Sequence, residues 1–231
     1  MVTKNKEILS LGLMCWTKML IKRYHQQESY PFDSIDSQSI DNVYNVIKDL
    51  LEDKLDYEKF VQFDDGNCNH YGLRFPHHNP PPDNQNGSNF ETFKRRLLRF
   101  KSVYENSSII KLFVFFNRPI KKQSLADYKN IMDKADAILK LAAGVDNQFL
   151  IINNVRETAI DNRVNLNISQ VDFDFYSTHH DENNMKAHLE YKPHFIPAYE
   201  KANIPCFLLN FLNNEKTAVY RKLVTVAEHE D

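Results

Sequence analysis

Cys15 is the residue in this sequence best placed for nucleophilic chemistry. It comes shortly after an apolar run that ends at Gly12, and it precedes a segment with helical spacing. A thiolate at the start of a helix is stabilised by free N–H groups and by the helix dipole, which lowers the pKa of the thiol. Gly12 allows a sharp backbone turn, and N–H groups there would form an oxyanion hole. The alternative is that Cys15 is a small buried hydrophobe.

Histidines supply the base that cysteine chemistry requires. Such a mechanism needs an imidazole within hydrogen-bond reach of the thiol and a third group that orients the ring. His70, His77 and His78 lie in a long irregular segment from Phe63 to Ser88 that includes three consecutive prolines. Long loops inside compact domains are often functional. The alternative is that these histidines are exposed loop residues.

Arginines are the candidates for binding an anion. Arg95, Arg96 and Arg99 lie on a predicted helix, away from its apolar stripe, and Arg118 directly follows a predicted strand. Guanidinium groups bind phosphate or carboxylate through two parallel hydrogen bonds. We therefore expect Arg95, Arg99 and Arg118 to be ligand-binding residues if the protein holds an anion. The alternative for the helix is an ordinary solvated face.

No cofactor or metal is predicted. The sequence has neither a P-loop nor a G-x-G-x-x-G motif, so nucleoside-triphosphate and dinucleotide chemistry have no support. A run from His179 to Glu182 contains good metal-ligand types, but its spacing matches no common zinc motif.

The elements that must position these residues alternate between strand and helix. Apolar runs predict strands and three- to four-residue spacing predicts helices. The helix that begins at Ile40 has Asp36 or Ser37 as its predicted cap. The predicted strands are Glu7–Gly12, Ile109–Phe116, Phe149–Asn153, Val164–Tyr176 and Pro205–Leu212, and the predicted helices are centred on residues 16–24, 40–51, 90–104 and 125–142.

This alternation predicts an α/β fold with a mainly parallel or mixed sheet flanked by helices. We expect a single α/β domain over residues 1–231. Within it, residues 7–120 carry the chemistry-bearing motifs and residues 121–231 complete the sheet.

Composition limits the partners and the compartment. The 29 basic and 31 acidic residues give a formal net charge of −2, so nothing drives binding to nucleic acid or to an anionic membrane. No apolar run approaches the roughly 18 residues of a membrane span. The three cysteines lack paired spacing, and the N-terminus makes a poor signal peptide. We therefore expect a cytoplasmic protein.

Several short motifs occur in an order that resembles one known family. They are Ser10-Leu11-Gly12-x-x-Cys15, Pro31-Phe32-Asp33, Phe75-x-His77, Arg95-Arg96-x-x-Arg99-Phe100 and Leu112-Phe113-Val114. Their order is similar to that in the uncharacterised family of papain-like cysteine peptidases. The resemblance implies Cys15 as the nucleophile and His77 as its base, with His70 as a substitute base. It also implies Asp33 as the orienting or structural acid.

Two positions depart from the family pattern, since Ser34 stands where the family has tryptophan and His78 where it has aspartate. A cysteine after the first strand of a parallel sheet also differs from papain itself. Three functions therefore remain open. The first is a cysteine hydrolase acting on a peptide or another amide or ester. The second is a non-catalytic α/β module that binds an anionic ligand or a protein partner. The third is a transferase acting on sugars or nucleotides.

Overall fold

The computed structural model describes residues 5–12, 17–18, 21–22, 25, 28–33, 35–37, 39–62, 68–75, 88–117, 125–153, 166–170, 208–209 and 211–212. Their centre is a sheet with strands β1 (Asn5–Ser10), β2 (Ile109–Asn117), β3 (Gln148–Asn153) and β4 (Leu166–Gln170). The strand order is β1-β2-β3-β4, and every neighbouring pair is parallel. The prediction of a single α/β domain with a mainly parallel sheet flanked by helices is confirmed.

Both faces of the sheet are buried. Leu9 pairs in register with Phe113, and Phe113 pairs with Phe149. All three belong to the core cluster that the helices share. Ile8 and Leu112 lie on the opposite face of the sheet, because successive side chains of a strand alternate between faces. Both are also fully buried. Parallel strands covered on both faces read as nearly continuous apolar runs, which is why β2 was recognisable in the sequence.

The helices are α1 (Ile40–Leu51), α2 (Tyr57–Val61), α3 (Ser88–Glu105) and α4 (Leu125–Leu141). The cap of α1 is Ser39, whose Oγ accepts a hydrogen bond from the N–H of Asn42 at 3.3 Å. The predicted cap, Asp36 or Ser37, is therefore wrong. The reason is that Asp36 lies further back, in a backbone pair with Arg74, whereas Ser39 has the extended backbone of an N-cap. Among the described residues, no helix combines the length and apolarity needed to cross a membrane.

Two further elements differ from the predictions. Helix α2 was not predicted, because five residues are too few to show helical periodicity. The predicted strand Pro205–Leu212 is wrong, since residues 208–209 and 211–212 are helical. A short apolar run does not distinguish a strand from a buried helix. Leu208 and Phe211 are three positions apart and are 0% and 2% exposed, as expected for one buried helical face.

Phe211 packs against the first strand. Lys6 in β1 donates a hydrogen bond from Nζ to the carbonyl oxygen of Phe211. The same Nζ lies 4.7 Å from the centroid of the Phe211 ring, within the range of a cation–π contact. The two ends of the described chain are therefore in direct contact.

One buried lysine joins the C-terminal ends of two helices. Lys111 in β2 is 0% exposed, and its Nζ donates hydrogen bonds of 2.6 Å to the carbonyl oxygens of Asn106 and Ala143. These residues follow α3 and α4, where a positive charge is favourable. The backbone N–H of Lys111 donates to Oδ1 of Asn147 at 3.1 Å. Burial lowers the pKa of the Lys111 ammonium group.

Candidate functional site

Gly12 lies just beyond the end of β1, at the carboxyl edge of the sheet. Gly12 has a φ of +93°, and a Cβ there would lie 3.1 Å from the Cβ and Oγ of Ser37. Its N–H donates to the Oγ of Ser10 at 3.4 Å. Both the left-handed backbone and the close approach of Ser37 therefore require glycine. Gly12 therefore has the left-handed backbone that a sharp turn before Cys15 would use, and residues 13–16 lie outside the described residues.

Three predicted site residues, Cys15, His77 and Arg118, lie outside the described residues, as does the histidine-rich run from His179 to Glu182. Directly after Cys15 in the sequence, residues 17–18 and 21–22 are helical. The helix that was predicted to follow Cys15 is therefore present where the structure describes the chain.

Asp33 anchors that helix. It lies in the turn at residues 31–33 and is 2% exposed. Its Oδ2 accepts the backbone N–H of Tyr30 at 2.8 Å and lies 2.7 Å from Nζ of Lys18. Lys18 also donates to the carbonyl oxygen of Glu28 at 3.0 Å. Asp33 thus has the contacts of a structural acid.

Burial and neighbouring positive groups shift the pKa of Asp33 in opposite directions. Burial raises the pKa of its carboxyl group, and the nearby Lys18 ammonium, the Tyr30 N–H and the Arg96 charge act in the opposite direction. Its Oδ1 is buried and has no hydrogen-bond partner in the described part of the chain. An ionised carboxylate held under these conditions depends strongly on its cationic neighbours.

Tyr30 links this turn to β1. Its hydroxyl donates to Oε2 of Glu7 at 3.2 Å. Burial, followed by the Glu7 charge, raises the pKa of Tyr30 above its ordinary range, so the phenol stays protonated and remains a donor. Nε2 of His25 lies 3.8 Å from the same Glu7 oxygen. The turn, the helix end and the first strand therefore share one polar cluster.

The arginines on α3 have different environments. Nη1 of Arg99 donates to the carbonyl oxygen of Ser29 at 2.9 Å and lies 3.1 Å from Oε2 of Glu28. Arg95 is exposed. Arg96 is half-buried, and its guanidinium carbon lies 5.4 Å from the centroid of the Phe93 ring. Of the two α3 arginines predicted to bind a ligand, one is engaged by its own chain and the other faces solvent.

The segment at residues 68–75 carries His70 and leads toward His77. Asp36 and Arg74 exchange backbone hydrogen bonds of 2.8 Å in both directions. Phe75 is buried. His70 is exposed, and its ring lies 5.5 Å from that of Tyr71. The start of the Phe75-x-His77 motif is therefore fixed to the core, whereas His70 lies at the exposed turn.

Sequence reasoning missed two buried polar residues of this region. Lys18 falls off the apolar stripe of its helix, which suggests solvent exposure, yet it is 5% exposed. Ser37 is buried, and its Oγ has no hydrogen-bond partner among the residues described. The sequence does not indicate that either side chain is buried, because the burial of each depends on contacts with residues distant in the chain.

Among the described residues, no group of three or more histidine, cysteine, aspartate or glutamate side chains is arranged to hold a metal ion. Comparison of the chain with protein-family models, with curated proteins and with solved structures finds no match in any of the three. The resemblance to papain-like cysteine peptidases therefore stays a prediction.

Proposed function

We propose that this protein is a cysteine hydrolase in which Cys15 is the nucleophile and His77 is the base. One observation carries the proposal: the chain segments that lead to Cys15 and to His77 are held together. Gly12 approaches Ser37 closely, and Asp36, the neighbour of Ser37, is paired with Arg74.

The stretches of chain that separate these contacts from Cys15 and His77 are short. Cys15 is three residues beyond Gly12, and His77 is three residues beyond Arg74. Three residues span at most about 11 Å, so the chain length allows Cys15 and His77 to approach each other. Gly12 lies at the carboxyl end of β1, the edge at which ligands bind in open α/β sheets.

The chemistry follows from the two groups. His77 takes the proton of the Cys15 thiol, and the sulfur attacks the acyl carbon of a peptide, another amide or an ester. The carbon–nitrogen or carbon–oxygen bond then breaks, and His77 returns the proton to the leaving amine or alcohol. Water attacks the resulting thioester and regenerates the thiol. Asp33 is a positioning residue here, because it is bonded to Lys18.

The proposal places the enzyme in the cytoplasm. The support is the lack of paired spacing among Cys15, Cys68 and Cys206 and the free thiol of Cys68, which suit a reducing compartment.

Cys15 alkylation by iodoacetamide as a function of pH tests the proposal. Wild type is compared with His77→Ala, and labelling at each cysteine is quantified by mass spectrometry. The expected result is rapid Cys15 labelling well below pH 8.5, the ordinary thiol pKa, and its loss in the variant. Cys68 is the control within the same molecule. Cys15 labelling no faster than that of Cys68, or unchanged in His77→Ala, would contradict the proposal.

Hydrolysis is then measured with fluorogenic ester and amide substrates. Cys15→Ser is expected to lower turnover by at least about 100-fold, because the hydroxyl is a far weaker nucleophile than a thiolate. Turnover that persists in Cys15→Ser would assign the activity to other residues.

A further inference from the structure

The side chain of Asn42 joins two segments that are distant in the sequence. Its Nδ2 donates hydrogen bonds to the carbonyl oxygen of Ser37 at 3.1 Å and to that of Gly72 at 3.2 Å. A carboxamide nitrogen has two N–H groups, and here each has an acceptor. Carbonyl oxygens only accept, so only the nitrogen end of the carboxamide fits between them.

The backbone around this contact is shaped to allow it. Gly72 has a φ of +71°, and a Cβ there would lie 2.9 Å from Nδ2 of Asn42. Both the left-handed backbone and the close approach of the carboxamide therefore require glycine. At the start of α1, the Oγ of Ser39 accepts the N–H of Asn42 at 3.3 Å, so the backbone of Asn42 is fixed as well.

The two joined segments are those that lead to the proposed catalytic residues. Ser37 is fully buried and lies against Gly12, which is three residues before Cys15. Gly72 is five residues before His77. The carboxamide therefore ties the approach to the nucleophile to the approach to the base.

We propose that Asn42 is a positioning residue for the Cys15–His77 pair, an inference that rests on the proposed function. A base must lie within hydrogen-bond reach of its nucleophile, and a displacement of about 1 Å is enough to slow catalysis strongly. Asp36 and Arg74 link the same two segments through backbone atoms. The Asn42 side chain is a link that a substitution can remove.

Asn42→Asp removes both donors while it keeps the shape of the side chain. A negative charge near the start of α1 favours the helix, so a loss in this variant does not come from a weaker α1. The matched control is Tyr71→Phe. It removes another link between the segment at residues 68–75 and α1, the 2.9 Å hydrogen bond from the Tyr71 hydroxyl to Oδ2 of Asp49.

Amide hydrogen exchange of the full chain tests the link without using catalysis. The backbone N–H groups of Asp36 and Arg74 donate to each other's carbonyl oxygens at 2.8 Å. We expect Asn42→Asp to speed the exchange of both by at least about fivefold, the effect of losing a net hydrogen bond. Val46 within α1 should exchange as in wild type, and Tyr71→Phe should leave the Asp36 and Arg74 rates unchanged. Unchanged rates in Asn42→Asp would overturn the inference.

The pH profile of Cys15 alkylation tests the positioning itself. Below about pH 8.5, labelling in Asn42→Asp should slow by at least about fivefold toward the rate in His77→Ala, while Tyr71→Phe labels as wild type does. Labelling of Cys68 should not slow, because loosening its segment exposes the thiol. Equal slowing of Cys15 in Tyr71→Phe would overturn the inference, since any loosening would then have the same effect.

Asn42→Ala covers the case in which Asn42→Asp does not fold, because alanine removes the donors without placing a carboxylate beside two carbonyl oxygens. The same results are expected. Two kinds of failure are distinguishable. If Cys15 of the wild type labels no faster than Cys68, the hydrolase proposal fails and the positioning role fails with it. If wild-type Cys15 is activated and both Asn42 variants keep its pH profile, only the inference about Asn42 fails.

Discussion

Lys18 and Asp33 form an ion pair of 2.7 Å in the protein interior, with their side chains 6% and 2% exposed. The pair connects two segments that the sequence motifs treat separately: the helix after Cys15 and the Pro31-Phe32-Asp33 turn. Removing one partner from such a pair leaves an uncompensated charge in a region with little water. The pair therefore makes the position of the helical segment that contains Lys18 dependent on Asp33.

A double-mutant cycle tests this dependence. Lys18→Met and Asp33→Asn should each lower the free energy of unfolding by about 3 kcal/mol, and the double variant should lose less than the sum of the two. Urea unfolding at pH 7 measures all four proteins. Strictly additive losses would show that Lys18 and Asp33 stabilise the fold independently.

Gly12→Ala tests the left-handed backbone of Gly12 and its closeness to Ser37. The variant should lose about 2 kcal/mol of unfolding free energy, because alanine is strained at a φ of +93° and its Cβ meets Ser37. Combining it with Ser37→Gly relieves the contact but not the backbone strain. The double variant should therefore lose less than the sum of the single losses in thermal and urea unfolding. Simple additivity would mean that the contact with Ser37 is unimportant.

Lys111→Met should destabilise the protein by about 2 kcal/mol, since two carbonyl oxygens lose their charged donor. Lys140→Met is the matched control: Lys140 lies in the last turn of α4, is 75% exposed and pairs with Asp136. Its loss should change stability by less than about 0.5 kcal/mol. Urea unfolding compares the two, and equal effects would show that the contacts of Lys111 contribute little.

The fold was largely predictable because its strongest signals are local. The apolar positions of α1 repeat with helical spacing, and β2 is a continuous apolar run, so both elements follow from sequence alone. Helix α2 was missed because it is shorter than two helical turns. Residues 208–209 and 211–212 were misassigned because a short apolar run fits either a strand or a buried helix.

The site was less predictable because its contacts link distant positions. Sequence spacing indicates that Lys18 faces solvent, and only the fold brings it to Asp33. The cluster Arg95, Arg96 and Arg99 suggests one anion-binding face, yet Glu28 engages Arg99. A lysine within the apolar run of β2 was a usable signal, because a charged residue buried there requires partners.

The parallel pairing of β1 with β2 has a consequence for biosynthesis. Asn5 pairs with Ile109, so the first strand leaves the ribosome long before its neighbour exists. At translation rates of about 5 to 20 residues per second, the interval is on the order of 5 to 20 s. During that time β1, with its apolar residues Ile8 and Leu9, is unpaired and prone to aggregate. The nascent chain is therefore expected to need chaperone protection until β2 has emerged.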